Sequence, residues 1–182
     1  TSVPKIFFRT VWSGNCRPIF RAVISMSQRM RSGPDATEDQ LWDFYVRNGI
    51  CEVGYGKATA VIPLKYNSYM VCALYQDKLV GIIRATFDGL SADIKEFCLE
   101  CELQGETLKY NNGSLIEKDP YGIAKKMGLL LLDELRKLGN TFTCAYIVEK
   151  LEEEVYQSIG LEHNSGHLVY YKDERPYVRK SI

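Results

Sequence analysis

Neither charge is in surplus in this chain. Across 182 residues, 23 Lys plus Arg stand against 23 Asp plus Glu. A protein built mainly to hold phosphate backbones carries a basic excess, so the balance argues against nucleic acid as the partner. Histidine is scarce, at His163 and His167 only, and Cys98 and Cys101 form the lone C-x-x-C among six cysteines. A zinc site would need further ligands near that pair, so no metal is expected. No apolar run reaches bilayer-spanning length, which leaves no membrane role to expect. The opening residues show no secretory apolar core, and several cysteines sit on apolar runs such as Met70–Leu74 and Phe97–Leu99. Both features read as a cytoplasmic protein with reduced, packed thiols. Repeats and low-complexity stretches are missing too.

What is present alternates between β-type and α-type segments. A hydrophobic content of 46% is enough for one well-filled domain covering residues 1–182. Lys5–Trp12 is a short β-type run. Ile19, Phe20, Val23, Ile24, Met26 and Met30 recur at helical spacing and predict a first helix to about Arg31, with Pro18 tolerated in its first turn. Arg17, Arg21, Arg29 and Arg31 on it read as a solvated face, with a basic patch as the alternative. Thr37 followed by Gln40 is a capping-box pattern, opening a second helix through Leu41, Phe44 and Tyr45 to Asn48-Gly49.

Strand-like runs follow at Ala58–Leu64, Tyr69–Tyr75, Leu79–Phe87 and Ala92–Cys101. The polar link Gln76–Lys78 makes the middle pair an antiparallel hairpin. The polar stretch between Gln104 and Asp119 reads as a small hairpin or an ordered flap. A long helix is predicted from about Pro120 to Leu138, then a strand over Phe142–Val148 and a short helix over Glu149–Ser158. Glu162–Lys172 reads as a last strand or bent strand pair. The order β-α-α-β-β-β-α-β-α-β is mixed α/β, a largely antiparallel twisted sheet flanked by helices.

The richest stretch is Asp119-Pro-Tyr-Gly122-Ile-Ala124, which runs straight into Lys125, Lys126 and a strongly apolar helix ending at Leu138-Gly139. Unpaired N–H groups at a helix start, at the positive end of its dipole, can hold a phosphate or pyrophosphate. Small residues at 122 and 124 would let the anion reach the backbone. An ordinary turn glycine is the alternative.

Three clusters in this order resemble the GNAT superfamily of acyl-CoA-dependent N-acyltransferases. Leu79-Val-Gly81-Ile-Ile-Arg84-Ala looks like the family's third strand. Gly122-Ile-Ala124 with its helix matches the G-x-G/A turn, and Glu154-Val-Tyr156-Gln-Ser-Ile-Gly160-Leu161 is similar to the late A-x-x-F-Y-x-x-x-G-F segment. The likeness covers residues 69–177, the expected cofactor-binding core, while residues 1–65 would supply the acceptor side. Two departures stand out. Asp119 occupies a place where the family usually has Gln or Arg, and it reads equally well as a helix N-cap followed by proline. The chain also detours through Glu106–Lys118 between Gln104-Gly105 and Gly122.

The resemblance implies acetyl transfer from acetyl-CoA, or another acyl-CoA, to a primary amine, with no metal. Pantetheine would pair with the strand Ile94–Cys101, lined by Phe97, Cys98 and Leu99, and an amide near Leu99 would hold the oxyanion. Gly122, Ile123, Ala124, Lys125 and Lys126 would meet the phosphates; plain surface lysines are the alternative for the last two. Strand alternation puts Glu96, Cys98 and Glu100 on one face and Lys95, Phe97 and Leu99 on the other. Glu96 is then the first candidate base and Glu100 the second, unless both are salt-bridged to Lys95 and Arg84. Tyr156 would donate to the leaving thiolate, the alternative being a core tyrosine beside Val155 and Ile159.

The acceptor, a small-molecule or peptide amine, would lie over an aromatic, mixed-charge region that includes Trp42, Phe44, Tyr45, Tyr55 and Tyr66. Two other readings remain. One is a longer-chain N-acyltransferase of the N-acyl amino acid or homoserine lactone synthase type, taking acyl groups from an acyl carrier protein. The other is a degenerate member that binds ligand without turnover. A homodimer stays open.

Overall fold

A computed structural model of the chain describes residues 7–9, 21–26, 36–51, 56–65, 69–166 and 170. Six strands form one sheet in sequence order: β1 (Phe7–Arg9), β2 (Arg21–Met26), β3 (Tyr69–Tyr75), β4 (Lys78–Phe87), β5 (Ser91–Leu99) and β6 (Phe142–Ala145). Neighbours are antiparallel through β5, and β6 lies parallel to β5. The β3–β4 hairpin turns on Gln76 and Asp77, both at positive φ (49° and 62°). That is the two-residue connection whose twist suits a hairpin.

Helices cover both faces. Helix α1 (Glu38–Arg47) starts with the capping box read from Thr37 and Gln40, both reciprocal bonds being present. Its Leu41, Phe44 and Tyr45 pack with Met70, Cys72, Ile82 and Cys98 on one side of the sheet. A short helix, α2 (Lys57–Ala60), and a 3-10 turn at Ile62–Lys65 follow on the chain. After β5 comes a single helical turn, α3 (Cys101–Gln104). On the other face lies α4 (Ile123–Lys137), whose Ile123, Met127, Leu131 and Leu135 meet Val71, Ile83, Phe97 and Leu99. Helix α5 (Glu153–Ser158), entered through a 3-10 turn at Lys150–Glu152, joins this core through Val155. Gly128 of α4 lets Ile159 approach so closely that a Cβ there would sit 2.7 Å from it.

Several predicted elements change type or extent. The helix expected from Ile19 to Arg31 is instead the strand β2 over Arg21–Met26. Its apolar spacing fits either period over so few residues, and pairing with β3 (Ile24 opposite Val71) decides the matter. The strand expected at Ala58–Leu64 is α2 plus the 3-10 turn, because Val61 and Leu64 are recruited to local turns rather than to a sheet edge. The last strand does not begin by Gly166; residues 167–169, 171 and 172, with Tyr55 and Tyr66, lie outside the described residues.

A buried polar knot sits at the C-terminal end of β5. Glu100, 4% exposed, receives Arg47 Nε at 2.9 and 3.0 Å, Arg47 Nη2 at 2.9 Å, Asn48 Nδ2 at 3.1 Å and Lys78 Nζ at 3.2 Å. Asn48, 2% exposed, also accepts from the Cys101 N–H at 2.8 Å, and its carbonyl accepts from the Gly113 N–H at 2.8 Å. The knot thus ties α1, β5, α3 and the 106–118 segment together. Burial alone would raise the Glu100 carboxyl, but hydrogen bonds from Arg47 and Asn48 and the Arg47 charge outweigh it and hold the group below its ordinary 4.5. The stability it contributes is therefore full above that ordinary value and lost as pH falls through the lowered one.

Glu100→Gln leaves the half-buried Arg47 with the exposed Asp43 as its remaining counter-charge and should cost about 1–3 kcal/mol near neutral pH. The loss relative to the parent should shrink as pH drops to about 3. Denaturant titrations at both pH values check this, and an equal loss at each would contradict the charged role.

Candidate active site

The pairing of β4 with β5 slips at one place. Arg84 faces Glu96 but Ala85 faces Ile94, so Lys95 is an extra residue in β5. A bulge re-aims side chains by breaking strict alternation. Ala92 and Ile94 join Phe97 and Leu99 in the core under α4, while Lys95 and Glu96 both turn toward α1. The alternation that put Lys95 beside Phe97 is corrected by this bulge.

Together with Tyr45, Arg84, Cys51 and the Thr59–Pro63 turn, Lys95 and Glu96 line a cavity of about 400 Å³. That is the size of a small-molecule site. Within it Glu96 is held from two sides. The Tyr45 hydroxyl donates to Oε1, and Arg84 Nε lies 3.1 Å from Oε2. Burial, then the Glu96 charge, pushes the Tyr45 phenol far above its ordinary value, so it remains a donor at any working pH. Lys95 Nζ pairs with Asp93 at 2.9 Å. The cavity thiol of Cys51 is raised by burial and by Glu96, and Cys98, fully buried, is raised by the same two causes in the same order. Neither is a ready nucleophile.

The second feature is a parting of strands. β5 and β6 pair from Ser91–Phe142 to Ile94–Ala145; from there to Leu99, β4 is the strand that pairs with β5 among the described residues. Beyond that point Tyr156 of α5 packs edge-on to Phe97, with ring centroids 5.6 Å apart at 89°. Burial first, then the charge of Glu152, lifts its phenol above the ordinary 10. Glu152 itself is 3% exposed and raised by burial, and it accepts from the N–H groups of Val148 (3.1 Å) and Glu149 (3.3 Å). Glu96 and Phe97 therefore present a carboxylate to one face of β5 and an aromatic partner for Tyr156 to the other.

No family model matches the chain, and no curated protein matches it by sequence. Solved structures do match in shape. A probable acetyltransferase of Staphylococcus aureus aligns with a TM-score of 0.58 at 12% identity, over 85% of this chain and 99% of its own. The glucosamine-6-phosphate N-acetyltransferase of Arabidopsis thaliana gives 0.57 at 9%, over 85% and 99%. A predicted acetyltransferase of Clostridium acetobutylicum, solved with acetyl-CoA, gives 0.53 at 13%, over 75% and 92%. The chain has the GNAT fold.

Against that fold the expected donor-binding residues divide. Phe97, Cys98 and Leu99 do lie on the strand that outruns its neighbour. The Leu99 peptide, however, is already engaged: its N–H donates to the Gly113 carbonyl at 2.9 Å and its carbonyl accepts from Gln104 Nε2 at 3.0 Å. The amide that faces the same edge two residues earlier belongs to Phe97. At the GNAT turn, Asp119 folds back on α4. Its Oδ1 accepts from the Ile123 N–H at 2.8 Å and its Oδ2 from the Lys125 N–H at 2.9 Å. The cap expected of Asp119 is thus made, but across Gly122, which is the residue preceding the helix. Ala124 is fully buried, while Lys125 and Lys126 are exposed. Glu100 does not reach the cavity; it is spent in the polar knot.

Arg84, Lys95 and Glu152 escaped the sequence reading as functional candidates, while Tyr45 was expected in the aromatic acceptor region but not as a partner of Glu96. Only the Arg84–Glu96 pairing carried a signal, as a suspected salt bridge. Among the described residues no group of three or more His, Cys, Asp or Glu is arranged to hold a metal.

Gly122 has φ +65° and open space where a Cβ would go. Its glycine suits the left-handed turn, and no protein atom approaches it closely. Gly122→Ala should cost about 1–2 kcal/mol of stability. Gly122→Asn should cost less, as asparagine tolerates that region better than alanine. Thermal or denaturant midpoints test the ranking, and equal losses would refute it.

Proposed function

We propose that the protein is an N-acyltransferase that moves an acyl group, acetyl in the first instance, from a pantetheine thioester such as acetyl-CoA to a primary amine on a small molecule. The observation that carries this reading is the bulge that turns Glu96 into an acceptor-sized cavity beside the free edge of β5. Residues before about 65 form the acceptor side, and 69–177 the donor side. The structural neighbours support the class: one acts on an amino sugar phosphate and another was solved with acetyl-CoA.

In this reading the amine enters from the α1 face and attacks the thioester carbonyl carbon at the β5–β6 parting. The Phe97 N–H holds the oxyanion, since Leu99 is engaged. Glu96, steadied by Tyr45 and Arg84, takes the proton that the amine loses as the C–N bond forms. The C–S bond then breaks and the sulfur departs as a thiolate. A thiol has a pKa of about 8.5. The lifted phenol of Tyr156 therefore stabilises the sulfur as a hydrogen-bond donor, and solvent completes the protonation.

An amine screen with acetyl-CoA and thiol detection tests the activity. With an acceptor in hand, Glu96→Gln should lower kcat by about 10²-fold or more. Tyr156→Phe should reduce kcat by roughly 10-fold with little change in the donor KM. Unchanged kcat in Glu96→Gln would remove the base assignment.

A further inference from the structure

The 106–118 segment is not a loose insertion. Glu117 accepts from the Lys109 and Tyr110 N–H groups at 2.7 and 2.8 Å, its own N–H donates to Gln104 Oε1 at 2.8 Å, and Ile116 is 1% exposed in the core under α4. Gly113 is wedged so tightly that a Cβ would lie 2.8 Å from Asn48 and 2.9 Å from the Leu99 carbonyl. This packed segment delivers two groups to places where an acyl-CoA would need the backbone. The Gly113 carbonyl takes the Leu99 N–H, and just beyond the segment the Asp119 carboxylate takes two amides at the positive end of α4. The first is a neutral bond in an ordered edge. The second is a negative charge set where a diphosphate would have to come, and the two anions would compete for the same donors and repel each other.

Resting on the acyltransferase reading above, we infer that the donor is recognised as an acylated pantetheine arm and not through its nucleotide diphosphate, with Asp119 as the residue that sets this preference. The free edge around Phe97 takes the arm and the thioester. The nucleotide half of CoA, where present, hangs outside and adds little affinity.

The test is calorimetric titration of the full chain with acetyl-CoA and with S-acetyl-4′-phosphopantetheine, for the parent and for Asp119→Asn. Asparagine keeps an oxygen for the cap and drops the charge. The parent should bind the two thioesters within about 3-fold of each other, and Asp119→Asn should tighten acetyl-CoA alone by about 10-fold. Should the variant fail to fold, the ratio in the parent decides by itself. A parent that prefers acetyl-CoA by about 100-fold, or a folded Asp119→Asn that binds it no better, overturns the inference and leaves the acyltransferase reading standing. Failure to bind either thioester overturns both.

Discussion

A single buried carboxylate holds the site in place. Glu100 ends β5, and the groups that neutralise it come from the last turn of α1 and the start of β4. Burying that charge is tolerable only because Arg47, Asn48 and Lys78 surround it with donors. The consequence is geometric. Arg47 and Asn48 pin α1 against the sheet, which brings Tyr45, a few residues earlier on the same helix, onto Glu96. The backbone of Asn48 then catches Gly113, which catches Leu99. Cavity wall, strand end and inserted segment are all located by one cluster, and none could shift alone without stranding a buried polar group.

The bulge at Lys95 converts that scaffold into a site. Without it, Glu96 would alternate regularly with Lys95, and one of the two would point under α4. With it, adjacent residues of opposite charge share a cavity while the core pattern resumes at Phe97. The same strand also outlasts β6, so its free edge and its carboxylate lie back to back. A GNAT fold supplies the general frame, and the hydrogen bonds made by Asp119 and Gly113 add detail that the fold alone does not dictate.

Much of the frame was legible because its signals are local. The Thr37–Gln40 box, the Gln76–Lys78 turn, the apolar strands and the stripe of α4 each carry their instruction within a few residues. Asp119 was legible as a cap by its chemistry. The element at residues 19–31 was not, because a short apolar run fits both periods and only pairing with β3 selects the strand. Strict alternation misplaced Lys95, since a bulge leaves no sequence mark there. The Tyr45–Glu96 contact and the burial of Glu152 were hidden for another reason: the first joins residues about fifty apart in the chain, and the second is set by packing depth. Glu100 had the right residue type, but its fate depended on Arg47 and Asn48 across the fold.

The central claim is that a thioester donor docks at the free edge of β5 beside Glu96 while Asp119 stays on α4. Amide chemical shifts followed by NMR during titration with acetyl-CoA test it most directly. The account predicts that the Phe97 amide and its neighbours Lys95 and Glu96 move, while Ile123 and Lys125 keep their shifts. Large movement at Ile123 and Lys125, with Phe97 unmoved, would contradict it.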